Sequence, residues 1–263
     1  MPTPNAAEPA QVNWIDPLAT VARHAGATAL RHYRRSLTVE TKADGSPVTV
    51  ADREAEAVAR DWITQRFPGD SIIGEEGGIS GTPNAARQWV IDPIDGTKSF
   101  VRGVPLWGTM IGVMDGGEVL AGAVFCPALD ELVVAADSAG CWHNGSRCQV
   151  STVSDLASAT ILTTSGAFRG RADRQRRWNE LAQRVAVART WGDCFGYVLV
   201  ATGRADVMVD NRLHIWDYAP LVPIIREAGG VVTDWTGAPA FGGDAIATNR
   251  TLAQQVRSAL IGP

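Results

Sequence analysis

The stretch at residues 89–97, Trp-Val-Ile-Asp-Pro-Ile-Asp-Gly-Thr, constrains the fold most, because an apolar run there delivers two acids, Asp92 and Asp95, into the open. Val90 and Ile91 read as the end of a buried strand. Pro93 fixes its own φ and has no N–H for a ladder, and Gly96-Thr97 open a helix. The carboxylates are therefore predicted at a strand-to-helix turn. Aspartates so spaced can hold divalent cations, while the N–H groups of Gly96, Thr97 and Lys98 can receive an anion. A plainer reading fits as well: Asp95 caps the helix and Asp92 shapes the turn. Other acidic stretches must decide.

Before this stretch, Leu18, Val21, Ala22, Ala25, Ala29 and Leu30 recur at helical spacing and predict an amphipathic helix over 17–35. Thr49 caps a second helix through about Phe67, carrying Asp52 and Glu56, and Pro68-Gly69 stops it. The pair Ile72-Ile73 then leads into Gly74-Glu75-Glu76-Gly77-Gly78, adjacent acids flanked by glycines that let the backbone turn. On its own such a pair is usually solvated surface.

Beyond residue 106 the pattern is an antiparallel meander over 107–114, 119–125 and 131–136, with Asp115-Gly116-Gly117 as a hairpin turn. From residue 160 it alternates. Strands are predicted at 160–164, 189–191, 205–209 and 230–233, and helices at 172–186, 194–202, 215–228 and 252–260. Asp217 falls in the first turn of the 215–228 helix, where an acid favours the helix dipole and needs no other role. No linker or low-complexity tract divides the chain. The expectation is a mixed α/β fold of layered helices and sheets, a single domain over residues 1–263 with a mobile Pro/Ala-rich start at residues 1–10.

Composition narrows the function. A formal charge of -4 and a pI near 5.6 give no reason for a nucleic-acid or membrane partner, so the substrate is expected to be small. Residues 1–10 lack the regions of a signal peptide, and no apolar run approaches the roughly 20 residues that cross a bilayer, so a cytoplasmic setting is expected. Cys126, Cys141, Cys148 and Cys194 form no C-x-x-C pair, and a reduced setting fits them. His24, His32, His143 and His214 read as structural or surface groups.

Taken together, Gly74-Glu75-Glu76, Asp92-Pro93-Ile94-Asp95-Gly96-Thr97, and Trp216-Asp217-x-Ala219 with Glu227-Ala228-Gly229-Gly230 resemble the inositol monophosphatase family in content and order. The resemblance spans nearly the whole chain. It implies an α/β/α/β/α sandwich, a homodimer, and Mg²⁺-dependent hydrolysis of small phosphate monoesters with on the order of two or three ions per site. Carried over residue by residue, the metal ligands would be Glu75, Asp92, Asp95, Asp217 and the backbone carbonyl of Ile94. Thr97, paired with Asp52, would help Glu75 orient and deprotonate the attacking water, and Gly96 and Thr97 would hold the phosphate.

The segment Arg189-Thr190-Trp191-Gly192-Asp193-Cys194-Phe195-Gly196-Tyr197 bears on the substrate. Inositol monophosphatases typically have a small neutral residue where this chain has Asp193. The G-D-x-x-x-Y pattern, followed by Leu199-Val200-Ala201-x-Gly203, is similar to the histidinol-phosphate phosphatase branch. A carboxylate suits the ammonium and imidazole of histidinol phosphate. Asp193 would recognise that end, Asp210 would be a second acid beside it, and Asp95 would also touch the substrate. Asp193 could instead cap the helix that starts at Cys194. The resemblance thus implies hydrolysis of L-histidinol phosphate in histidine biosynthesis, with an inositol-1-phosphatase or broad sugar-phosphate phosphatase as the alternative. A catalytically silent interaction protein does not fit a chain whose every proposed ligand position holds its acid.

Overall fold

The computed structural model describes residues 13–43, 45–238 and 243–262, so the first ten residues expected to be mobile lie outside it. Helices Ile15–Leu30 and Val50–Arg66 form the outer layer. The first buries the stripe Leu18, Val21, Ala22, Ala25 and Ala29, as its sequence period requires. Beneath lies a sheet with, among the described residues, eight strands in the spatial order Ser146–Arg147, Gly140–His143, Glu131–Ala136, Glu118–Cys126, Gly108–Asp115, Arg87–Asp95, Ser71–Gly74, Gly78–Gly81. Ser71–Gly74 and Arg87–Asp95 run parallel, and the other neighbours are antiparallel.

The two-residue side-chain period divides this sheet between two cores. Trp89, Ile91, Ile111, Val113, Ala123 and Val134 pack toward the outer helices, while Met110, Val124, Val133 and Ala135 pack inward. Each fully buried isoleucine or valine contributes roughly 1.5–3 kcal/mol. The inner layer consists of Asp193–Ala201, Ile215–Tyr218 and Leu221–Glu227. Every residue from Cys194 to Ala201 is buried, which a helix enclosed by two sheets demands.

The second sheet has the order Val187–Arg189, Thr160–Thr163, Val207–Asp210, Ala245–Thr248, Val231–Thr233, with its first three strands parallel. Its far face carries Ile161, Val207, Val209 and Ile246 against Trp178 and Leu181 of Ala172–Ala182 and Val256 and Leu260 of Ala253–Ile261. The layering is α/β/α/β/α. Among the described residues no helix is long and apolar enough to cross a membrane.

Several elements differ from the sequence pattern: the helix expected over 17–35 spans Ile15–Leu30, and strand Ala245–Thr248 had no counterpart in it. The helix expected over 172–186 stops at Ala182, and the strand expected at 189–191 occupies Val187–Arg189. The helix expected over 215–228 is broken between Tyr218 and Leu221. Pro220 is the cause, since it has no N–H for the preceding turn and its ring collides with the carbonyl four residues back. That break matters to the site. A Cβ on Gly122 would lie 2.0 Å from the Pro220 carbonyl oxygen, so only glycine lets the Ala219-Pro220 corner press onto the sheet. Val90 packs with Ala219 and Trp216 there, which seats the Asp217 turn beside the end of the Arg87–Asp95 strand.

Candidate active site

The Arg87–Asp95 strand continues through Asp95, two turns of pleat further than the buried Val90-Ile91 pair suggested. Its pairing with Gly108–Asp115 runs regularly to Asp92↔Met110 and then shifts before Asp95↔Gly108. Pro93 sits in that irregularity, a position where a missing N–H is tolerated. Asp92 and Asp95 are turned toward the inner helices. The Ile94 amide donates to Asp92 Oδ1 at 3.0 Å, the Cys194 amide donates to Asp95 Oδ2, and the His214 amide donates to Asp217 Oδ2 at 2.8 Å. Asp217 thus serves the start of its short helix, as its position alone suggested, and also completes a cluster. One oxygen each of Asp92, Asp95 and Asp217 lies within 4.8 Å of the others.

Burial pushes the carboxyls of Asp92 and Asp95 well above the usual range, and neighbouring acids push further: Glu75, Asp95 and Asp217 on Asp92, and Asp193 and Asp217 on Asp95. Asp217 is raised by burial, with the His214 amide working against it. An all-oxygen donor set under mutual repulsion fits a hard divalent cation, whose charge favours the ionised form of each acid.

Glu75 lies at the same edge of the cleft. Its amide donates to the Ile91 carbonyl at 3.1 Å, prolonging the parallel pairing of Ser71–Gly74 with Arg87–Asp95. Lys42 Nζ bonds Glu75 at 2.7 Å and also bonds Glu76, so the acidic pair is neither free nor fully solvated. Burial disfavours the Lys42 charge, but the two glutamates outweigh it and hold the ammonium above its usual range. The turn itself is fixed from below by Glu56 of Val50–Arg66, which is 2% exposed. Glu56 accepts from the amides of Glu76 at 2.8 Å and Gly77 at 2.7 Å and from Arg60 Nε at 2.7 Å.

Asp52 and Thr97 do not form the expected pair. Asp52 Oδ2 accepts from both the amide and the hydroxyl of Thr49 at 2.8 Å, as part of the capping box of Val50–Arg66. The Thr97 hydroxyl donates to the Ile94 carbonyl at 3.0 Å. The helix N-terminus has claimed the acid, and the strand end has claimed the hydroxyl. Thr97 begins a single helical turn, Thr97–Phe100, after Gly96 at φ 86°. A Cβ on Gly96 would lie 2.9 Å from the Leu106 carbonyl oxygen and 3.1 Å from Asp193 Oδ2, so glycine is required both by φ and by space.

That last distance places the Asp193 carboxylate against Gly96, next to Asp95. Asp193 is not the cap of its helix: Gly192 holds that position, and Asp193 is the first residue of Asp193–Ala201 with φ 50°. A non-glycine residue in the left-handed region costs of order 1–2 kcal/mol. Its amide is held by Thr164 Oγ1 at 2.8 Å, while the Thr164 amide donates to Asp210 Oδ1 at 3.3 Å and the Tyr197 hydroxyl to Asp210 Oδ2 at 3.0 Å. Both Asp210 oxygens therefore have donors from the chain itself. Burial pushes Asp210 up to about 7 against the Thr164 bonds, and pushes Asp193 up to about 6 against nearby Lys98.

These groups line one cleft of about 960 Å³ between the end of the first sheet and the end of the second. Glu75, Asp92, Ile94, Asp95, Gly96, Thr97, Asp193, Asp210 and Asp217 all border it, and Asp52 lies buried behind its edge. Sequence reasoning did not assign roles to Lys42, Glu56 or Thr164, which fix Glu75 and Asp193. Their spacing carries no signal, because Lys42 is 33 residues from Glu75 and Thr164 is 29 from Asp193. The stack of His214 on Trp216, with ring centres 5.0 Å apart, also belongs to the cleft wall.

The inositol monophosphatase family model matches residues 11–260. The histidinol-phosphatase of Chlorobaculum parvum is 38% identical over 243 residues, spanning 91% of this chain and 93% of the relative. An inositol monophosphatase from Zymomonas mobilis has the same fold, with a TM-score of 0.83 and 32% identity over 95% of this chain and 99% of that one. The extragenic suppressor protein SuhB from Bartonella henselae matches with a TM-score of 0.89 and 28% identity, covering 95% and 98%. Since the matched span contains the whole acidic cluster and both sheets that build the cleft, the chain belongs to the inositol monophosphatase family of phosphomonoesterases.

Proposed function

We propose that this phosphomonoesterase hydrolyses L-histidinol phosphate to L-histidinol and inorganic phosphate, as a step of histidine biosynthesis, with Mg²⁺ held by Asp92, Asp95, Asp217, Glu75 and the Ile94 carbonyl. The observation that carries the substrate assignment is Asp193: a carboxylate kept at a strained φ, beside Gly96 and Asp95, where the far end of a bound monoester would lie. The name of the Chlorobaculum parvum relative supports the same reading. Bound divalent cations would lower the pKa of a water and neutralise charge on the phosphoryl oxygens.

The chain's own groups do the rest. Lys42 holds the Glu75 carboxylate and Glu56 fixes the turn after it through the Glu76 and Gly77 amides, so Glu75 takes the proton of the attacking water from a fixed direction. The Thr97 hydroxyl, anchored on the Ile94 carbonyl, orients that water, and the backbone of Gly96 and Thr97 receives the phosphate. Asp52 supports this edge by fixing Thr49 and the helix start. Asp193 faces the ammonium of the substrate, and Asp210 holds Thr164, which in turn holds the Asp193 backbone. We place the active unit as one domain over the full chain, a homodimer in the cytoplasm.

An inositol phosphatase is the second reading, favoured by the Zymomonas mobilis structure. Removing the substrate's charge separates the two. N-acetyl histidinol phosphate, which keeps the phosphate and imidazole, should be hydrolysed with kcat/KM at least about 10-fold below that of histidinol phosphate. Equal values for the two esters would sink the assignment of Asp193 to the ammonium.

Thr97→Val keeps volume and removes the orienting hydroxyl. It should lower kcat by about 10–100-fold while the Mg²⁺ concentration at half-maximal activity moves little. If excess Mg²⁺ restores kcat, Thr97 is a structural residue of the strand end and not a water-orienting one.

A further inference from the structure

Outside the cleft, the structure brings together two thiols whose sequence spacing suggests no pair. Cys141 belongs to strand Gly140–His143, and Cys148 follows strand Ser146–Arg147, with the Asn144-Gly145 turn between them. The register Ser146↔His143 and Arg147↔Trp142 sets Cys148 opposite Cys141. The Cys148 amide donates to the Cys141 carbonyl at 3.0 Å, and the two sulfurs share a hydrogen bond at 3.4 Å. Hydrogen-bonded antiparallel partners have Cα atoms about 5.5 Å apart, inside the roughly 4.4–6.8 Å span that a disulfide bridges. Both side chains leave the same face. No large backbone movement is needed to join them.

We infer that Cys141 and Cys148 form a hydroperoxide-sensitive dithiol, a modification site in which Cys148 is the attacking sulfur and Cys141 the resolving one. The environments divide the roles. Cys148 is half-buried, so an oxidant can reach it, while Cys141 is fully buried among the residues that pack on Ile224 and Ile225. The hydrogen bond with Cys141 holds the Cys148 thiol below its usual range, against burial and with help from Arg204, whereas the same bond and burial keep Cys141 protonated.

In the first step the Cys148 thiolate attacks the terminal oxygen of the hydroperoxide. An S–O bond forms, the O–O bond breaks, and the alcohol or water leaves with a proton, giving a sulfenic acid. In the second, the Cys141 sulfur attacks the Cys148 sulfur. The S–S bond forms, the S–O bond breaks, and the hydroxyl departs with the Cys141 proton as water. Two thiols lose two electrons in all, and one hydroperoxide gains them.

The other two cysteines provide an internal control. Cys126 and Cys194 are also close to one another, but both are buried, at 0% and 1% exposure, beneath the Asp95 end of the cleft. They should stay reduced under conditions that oxidise the hairpin.

The test uses the full chain, hydrogen peroxide and thiol counting after unfolding. All four cysteines are free in the reduced protein, so the expected change is a loss of half the titratable thiols, reversed by dithiothreitol. Trypsin cuts after Arg147, between the two cysteines, so the oxidised digest should contain their two peptides joined by a disulfide. Cys148→Ser should lose none of its remaining thiols to the same treatment, and Cys141→Ser should stop at a trappable sulfenic acid on Cys148. An unchanged thiol count, a bridge between Cys126 and Cys194, or direct over-oxidation of Cys148 in the wild type would each overturn the inference. The wild-type peptide map decides it even if a variant fails to fold.

Discussion

Asp95→Asn should lose at least about 10³-fold in kcat at saturating substrate and ordinary Mg²⁺, while the protein keeps its fold. Removing one neutral donor from a charge-stabilising site costs about 10²–10³-fold, and this change removes a full negative charge from the centre of the proposed cation site. The side chain keeps its shape, so the Cys194 amide still finds an acceptor at position 95. A second effect has the opposite sign. Asp95 is buried among acids that repel it, so in a chelator the Asn variant should melt above the wild type. Added Mg²⁺ should raise the wild-type melting temperature and raise that of the variant far less, because a ligand stabilises only the state it binds. Near-normal kcat in Asp95→Asn, or an equal Mg²⁺ response in the two proteins, would remove Asp95 from the ligand set.

Asp193→Asn should lower kcat/KM for histidinol phosphate by roughly 10- to 150-fold, since a hydrogen bond to a charged group is worth about 1.5–3 kcal/mol. Hydrolysis of an uncharged ester such as inositol 1-phosphate should change far less. The structure sharpens this contrast. Gly192 is the helix cap and Thr164 holds the Asp193 amide, so neither contact needs the carboxylate, and the melting temperature should fall little. Parallel losses on both esters would mean that Asp193 serves the site generally, through its proximity to Gly96, and not the ammonium.

The acidic cluster was legible through the family resemblance, because each of its acids sits in a short motif at a local element boundary, where the residues alone also allowed a cap or a turn role. Asp92 and Asp95 end a strand and Asp217 opens a helix, and such ends carry turn residues and glycines that can be read along the chain. The layered architecture was legible for the same reason, through side-chain period. What could not be read was how distant segments share hydrogen bonds. Asp52 and Thr97 each have a nearer partner, Thr49 and Ile94, and local partners compete well against distant ones. The resemblance implied Asp210 as a second acid beside Asp193 at the substrate, and it gave no sign that Tyr197 and Thr164 reach both of its oxygens across the fold. Pro220 was visible throughout. Its consequence, a broken helix pressed on Gly122, became clear only when strand Glu118–Cys126 was placed beneath it.

Phosphate release measured side by side on histidinol phosphate and inositol 1-phosphate tests whether hydrolysis depends on metal and prefers a cationic monoester. With Mg²⁺, kcat/KM for histidinol phosphate should exceed that for inositol 1-phosphate by at least about 10-fold, the value of one charged hydrogen bond. With a chelator, both activities should fall to background. Equal or reversed preference would contradict the substrate assignment, and phosphate release that survives the chelator would contradict the proposed role of the Asp92, Asp95 and Asp217 cluster.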